Sequence, residues 1–120
     1  MQAEEVVTVL GDVCVALEDS KRRMDVALNE ARRLQREELA GASHGECLQH
    51  ASGPLIVTVL RSNLLALQEV GHRLRVAEVE ALHREGATIT EIAKLLGISR
   101  QRAGALLHAN DNGRRCSEAS

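Results

Sequence analysis

Three consecutive polar side chains, Arg100, Gln101 and Arg102, have the chemistry that recognises nucleic acid. A guanidinium group donates two parallel hydrogen bonds to a guanine edge or to a phosphate, and a glutamine amide pairs with an adenine edge. Ser99 precedes them and is a good helix N-cap, so free backbone N–H groups at the same place favour an anion. We therefore expect base contacts from Arg100 and Gln101, and a phosphate contact from Arg102.

Two short helices joined by a tight turn are predicted to position these side chains. Thr88 begins the first helix, and Glu91 follows three residues later at the capping-box spacing. Gly97 supplies the positive φ with which a helix ends, since it has no Cβ to clash. Ile98 is an apolar plug between this helix and the second one, which runs from Ser99 through residue 108.

This segment resembles the homeodomain-like helix-turn-helix of bacterial DNA-binding proteins, the version present in resolvases, sigma factors and many repressors. The likeness covers about 35 residues if the preceding helix is included. Ala93 is the small residue where the helices cross, and Gly97 is the turn glycine. The apolar positions that hold such helices together are Ile92, Leu96, Ile98, Ala103 and Leu106. Relatives usually carry a β-branched or aromatic residue where this chain has three small residues, at 103–105.

The resemblance implies a tri-helical unit whose last helix lies in the major groove of double-stranded DNA. The first helix of the unit is expected from about residue 72, and the whole unit covers 71–109. The remaining expected DNA contacts are small or polar residues around the turn and the recognition helix: Thr88, Thr90, Gly104, Ala105 and His108.

Composition narrows the class of partner. The 120-residue chain has no Phe, Tyr or Trp, so it lacks the stacking platforms of single-strand and RNA binders. Its formal charge is −2, and the basic surface that DNA needs is therefore local. Residues 97–115 carry four arginines and one acid, whereas residues 1–20 carry five acids and no Lys or Arg. We expect no enzyme activity and no cofactor, because no nucleophile triad or phosphate-binding glycine loop is visible.

Cysteine usage and hydropathy indicate a compartment. Three scattered cysteines favour a reduced cytoplasm over a disulfide framework. No apolar run approaches the ~20 residues of a membrane span, and no secretory signal is evident. Thirteen of the fifteen basic residues are arginine, which suggests a high-GC bacterial source. We therefore expect the bacterial cytoplasm, at the nucleoid, and no membrane partner.

A long helix is predicted over 3–39 because apolar or small residues alternate at steps of four and three. Its charges change from acidic to basic near Ser20, so two copies laid antiparallel would place opposite charges together. We expect an antiparallel homodimer, although an intramolecular packing helix with solvated charges is the alternative. The seam consists of Val6, Leu10, Val13, Leu17, Ser20, Met24, Ala27, Ala31 and Leu34.

A second helix is predicted over 54–70, after a flexible connection at 40–53. Asn63 lies on its seam and either fixes the register of paired helices or sits at a wet edge. In the connection, His44, Cys47 and His50 provide three zinc-type ligands at most, so incidental polar residues are favoured over a metal site. Gly71 and His72 indicate a hinge or a helix crossing. The residues expected to make the dimer are Val6, Leu10, Val13, Leu17, Met24, Leu34, Ile56, Leu60 and Leu67.

Together these patterns predict an all-α protein, with a long antiparallel helical hairpin over 1–70, a helix-turn-helix unit over 71–109 and a disordered tail over 110–120. The expected function is sequence-specific binding of double-stranded DNA by a dimeric bacterial transcription regulator. Two alternatives stay open. One is a nucleoid-associated protein that bridges DNA, and the other is an interaction module for RNA polymerase or another transcription factor.

Overall fold

A computed structural model describes residues 2–51 and 55–108, with side chains from Glu5 onward. Within these ranges every regular element is a helix, so the predicted all-α fold class is confirmed. The elements are α1 (Gln2–Leu39), α2 (His44–Gln49), α3 (Ile56–Arg84), α4 (Ile89–Leu96) and α5 (100–108). The predicted disordered tail, with Arg114 and Arg115, lies outside the described residues.

Helix α1 follows the prediction closely and is supported by ion pairs along its own surface. The Arg33 guanidinium bridges Glu30, one turn before it, and Glu37, one turn after it. Oppositely charged side chains three or four residues apart stabilise a helix modestly. The same pairing lowers the pKa of Glu30, chiefly through the hydrogen bond from Arg33.

The structure corrects the expected end of the second long helix. Helix α3 continues through Gly71 to Arg84, so the first helix of the C-terminal unit is the second half of α3. A glycine inside a helix costs about 1 kcal/mol relative to alanine, and burial of Val70 next to it offsets that cost. A Cβ at Gly71 would meet nothing within 4 Å, so this glycine does not lie at a close helix crossing.

The connection between the long helices contains a helix that was not predicted. Ser43 caps α2 by accepting the Glu46 N–H at 3.2 Å. Cys47 is fully buried, and its carbonyl oxygen accepts a hydrogen bond from Arg33 at 3.2 Å. Burial, helped by the nearby carboxylate of Glu37, raises the pKa of the Cys47 thiol. This segment is therefore packed against α1, and is not the flexible connection expected.

The chain divides into two compact units. The hairpin unit is Cys14–Glu69, and the terminal unit consists of residues 1–13 together with residues 70–120. In the hairpin unit, α1 runs antiparallel to the first half of α3. The Asn63 amide donates to the Ser20 hydroxyl at 2.8 Å, and both side chains are buried. Of the two alternatives for Asn63, the structure therefore shows the buried seam residue and not the wet edge. It pairs two helices of one chain.

The terminal unit has its own core, formed where the second half of α3 meets α4 and α5. Its fully buried members are Val79, Ile92, Ala93, Ala103 and Leu106. The start of α1 also packs here, since Asp12 pairs with Arg73 at 2.6 Å and Glu5 lies 3.7 Å from Arg84. Among the described helices, none is both long and apolar enough to cross a membrane.

Candidate nucleic-acid interface

Helix α4 is fixed at both ends by short-range contacts. The Thr88 hydroxyl accepts the Glu91 N–H, and the Glu91 carboxylate accepts the Thr88 N–H, both at 3.1 Å. This completes the predicted capping box. At the other end Gly97 adopts φ 68° and ψ 33°, and the Ile98 N–H donates to the Ala93 carbonyl at 3.0 Å. The conformation of the turn that leads into the next helix is therefore determined by these contacts.

Hydrogen bonding also holds the Glu91 carboxyl group ionised. The bond from the Thr88 N–H, and then the contact with its hydroxyl, lower the pKa of Glu91. A carboxylate in the first turn also complements the positive end of the α4 dipole. The cap thus combines hydrogen bonding and charge at the same helix end.

Helix α5 begins at a second cap and divides cleanly into an inner and an outer face. The Ser99 hydroxyl accepts the Arg102 N–H at 3.0 Å. Ala103 and Leu106, three residues apart, are buried against α3 and α4. Arg100, Gln101 and the rest of the outer face remain exposed. The small side chain of Ala103 permits a close approach of α5 to its neighbours.

The long polar side chains on the outer face of α5 form no hydrogen bond or ion pair with other described residues. Arg100, Gln101 and Arg102 are exposed, and none has a side-chain hydrogen bond or ion pair within the described part of the chain. By contrast, Arg33 and Arg84 are each paired with two carboxylates of their own chain. The guanidinium groups of α5 are therefore available to an external acceptor.

The other predicted contact residues surround this face. Thr88 and Thr90 are exposed at the start of α4, and the Thr88 hydroxyl is also the α4 cap. On α5, Ala105 and His108 are exposed at successive turns after Gln101. Gly104 is half-buried, and a Cβ added there would meet nothing within 4 Å. The nine predicted residues thus all lie on α4, α5 or the turn between them.

Arg75 is a positioning residue that the sequence reasoning missed. Its guanidinium donates to the Leu96 carbonyl oxygen at 3.1 Å, in the last turn of α4. Carbonyl groups at a helix C-terminus have no partner within the helix, and a basic side chain satisfies them. Arg75 therefore joins α3 to the end of α4 that leads into the Gly97 turn. No spacing rule connects residues 75 and 96, so the sequence carried no direct signal for this contact.

The residues predicted for dimerisation differ in exposure. Ser20 and Ala27, on the same predicted seam, are buried inside the chain at 2 % and 6 % exposure. The exposed members are Leu10, Leu17, Met24 and Leu60. The half-buried members are Val6, Val13, Leu34, Ile56 and Leu67. Ser20 and Ala27 thus pack within the chain, whereas Ala31 and several of the largest seam residues remain exposed.

Within residues 2–51 and 55–108, no group of three or more His, Cys, Asp or Glu side chains is arranged to hold a metal ion. His44, from the predicted ligand cluster, instead pairs with Glu38 at 2.8 Å. Comparison of the chain with protein-family models, with curated proteins and with solved structures gave no match.

Proposed function

We propose that the protein binds double-stranded DNA in a sequence-specific manner, with α5 in the major groove. The observation that carries this proposal is the unpaired Arg100–Gln101–Arg102 face at the start of a capped, well-packed helix. An α-helix fits the major groove, where its first residues meet the base edges. Arg100 and Gln101 then bind bases, and Arg102 binds a phosphate.

The preceding helix supplies the backbone contacts in this arrangement. Helix N-termini bind phosphate through free N–H groups and the helix dipole. The starts of α4 and α5 both lie at exposed residues, Thr88 and Ser99. Thr90 adds a hydroxyl beside the first of them. These groups set orientation, whereas the side chains of α5 select the sequence.

The hairpin unit supports the proposal that two copies act together. Leu17 and Met24 lie about 40–60° round α1 from Ser20, and Leu60 lies about 60° round α3 from Asn63 in the same sense. In an antiparallel pair of helices, equal rotations in the same sense reach the same side. These three large side chains are each about half exposed (48–53 %). A second hairpin packed on that side would bury them in a four-helix arrangement.

A two-fold dimer with one recognition helix per copy binds an inverted repeat. We propose that the biological role is transcription regulation in a bacterial cytoplasm, at the nucleoid. The acidic start of α1 offers a contact for another component of the transcription machinery.

The test is selection from a pool of random duplexes at near-physiological salt, followed by sequencing of the bound fraction. An enriched inverted repeat supports a dimeric specific regulator and gives the half-site spacing. Binding without enrichment, with affinity falling steeply with salt, indicates a nucleoid-type protein that bridges DNA. Absence of binding refutes the DNA-binding proposal and directs the search to a protein partner.

Matched variants assign the individual roles on the selected site. We expect Arg100→Ala or Gln101→Ala to lose about 1–3 kcal/mol of discrimination at one base pair. Arg102→Ala should weaken binding to all sequences and reduce the salt dependence by about one phosphate contact. Arg61→Ala and Gln68→Ala change exposed residues of the hairpin unit and serve as controls. An equal loss of DNA affinity in the control variants would contradict the placement of α5 in the interface.

A further inference from the structure

A groove in the terminal unit lies between the start of α1, the end of α3 and the exposed side of α4. It has a volume of about 500 Å³ and eight lining residues. Its apolar walls include Val7 and Leu95, which are 65 % and 68 % exposed. Leu82 and Leu96 line it as well, and both also pack against the core of the terminal unit.

Two carboxylates lie on the α3 wall of this groove, at Glu78 and Glu85. They are seven residues apart, so they lie on one face of α3 and about 10 Å from each other along the helix axis. Neither has a side-chain hydrogen bond or ion pair among the residues that the structure describes.

The cations closest to these carboxylates along α3 are engaged elsewhere. Arg75, one turn before Glu78, donates to the Leu96 carbonyl oxygen. Arg84, next to Glu85 in the chain, pairs with Glu80 and Glu5. The groove therefore combines an apolar interior with two carboxylates that have no ion-pair partner in the described part of the chain.

From this combination we infer that the groove is a binding site for a small amphipathic organic cation, one with an apolar body and an ammonium or guanidinium group. The volume is within the range of small-molecule sites, about 300–1,000 Å³. Eight residues are far fewer than the roughly 20–30 per side that a stable protein interface uses. The apolar body would cover Val7 and Leu95, and the cationic group would lie against Glu78 or Glu85.

The inference does not depend on DNA being the target of α5. An occupant of the groove would touch Leu95 and Leu96, which are the last residues of α4 before the Gly97 turn. Occupancy is therefore measured directly on the protein, and a failure of DNA binding would leave that measurement unaffected.

The experiment titrates the full chain with three probes that share one alkyl chain: n-octylammonium, n-octanol and n-octanoate, below micelle-forming concentrations. Methyl NMR resonances of Val7 and Leu95 report the groove, and those of Leu64 and Leu65 report exposed apolar surface elsewhere. We expect saturable shifts at the groove methyls with n-octylammonium. Its affinity should be at least about tenfold higher than that of n-octanoate, since both carboxylates oppose the anion.

Charge-removing variants keep the shape of the side chains. Glu78→Gln and Glu85→Gln should each weaken n-octylammonium binding by about two- to fivefold, the range of an exposed ion pair. Glu18→Gln, an exposed acid of the hairpin unit, should leave it unchanged. Equal affinity for the three probes, unchanged affinity in both groove variants, or absence of groove-specific shifts would each overturn the inference.

Discussion

The buried contact between Ser20 and Asn63 leads to an unusual prediction, that removing both polar groups stabilises the protein. The Asn63 amide donates one hydrogen bond to Ser20, while Oδ1 of Asn63 is buried and has no hydrogen-bond partner among the described residues. A buried acceptor without a partner costs about 1–3 kcal/mol, whereas a neutral hydrogen bond contributes only about 0.5–1.5 kcal/mol net. The polar pair therefore destabilises the hairpin relative to an apolar contact of similar shape.

The magnitudes follow from which polar atoms each substitution leaves behind. Ser20→Ala removes the bond and leaves the buried Asn63 amide without an acceptor, in addition to Oδ1, so we expect a loss of about 2 kcal/mol in the free energy of unfolding. Adding Asn63→Leu removes every polar atom from this contact. The double variant should then be about 1 kcal/mol more stable than the natural chain, the difference between the two terms above. The two substitutions are thus strongly non-additive.

Urea denaturation followed by far-UV circular dichroism measures these changes, since the chain has no aromatic residue to report by fluorescence. Several protein concentrations are needed to separate folding from association. Ser62→Ala, at an exposed position of the same helix, is the control and should stay within about 0.5 kcal/mol. A double variant that is less stable than the natural chain would refute the reasoning. In that case the pair stabilises the fold as well as specifying its register.

Four further predictions concern single residues. Thr88→Ala should lower the free energy of unfolding by about 1 kcal/mol in urea denaturation, because the α4 cap is lost. The depressed pKa of Glu91 means that its stabilising contribution is complete above the ordinary value of 4.5 and is lost as the pH falls through its lower folded pKa; a carboxyl NMR titration checks this. Gly104→Ala should raise thermal stability, by about 0.5–1 kcal/mol, because its Cβ has room and alanine is the better helix former. Cys47 should be alkylated much more slowly than the exposed Cys14, as peptide mass spectrometry would record.

The parts of the fold that could be predicted from the sequence are those encoded over a few residues. The capping box spans Thr88 to Glu91, and the αL end of α4 needs only Gly97. The resemblance to the helix-turn-helix motif places Ile92 and Leu106 between the helices, and both are buried in the core of the terminal unit. Such signals depend on residues one helical turn apart, so they can be recognised without knowledge of the tertiary structure.

The parts that could not be predicted depend on contacts far apart in the chain. Helix α2 is six residues long, and Cys47 within it is buried against α1. The apolar and small residues of α1 form more than one stripe, and only tertiary packing decides which stripe faces α3. Ser20 and Ala27 occupy that place, while Leu17 stays exposed. The helix was expected to end at residue 70 for the same reason. Glycine disfavours a helix only weakly, and packing of the neighbouring residue keeps the helix continuous through Gly71.

The terminal unit is assembled from two stretches of the chain, and this bears on how it forms during synthesis. Asp12 and Arg73, which pair within it, are 61 residues apart. At about 5–20 residues per second, a ribosome needs roughly 3–12 s to make the intervening segment. Val9 is buried in the folded protein, so its side chain stays exposed in the nascent chain for that time. The start of α1 therefore reaches its packed position only after the second half of α3 has been made, and a chaperone that holds short apolar segments would bind it in that interval.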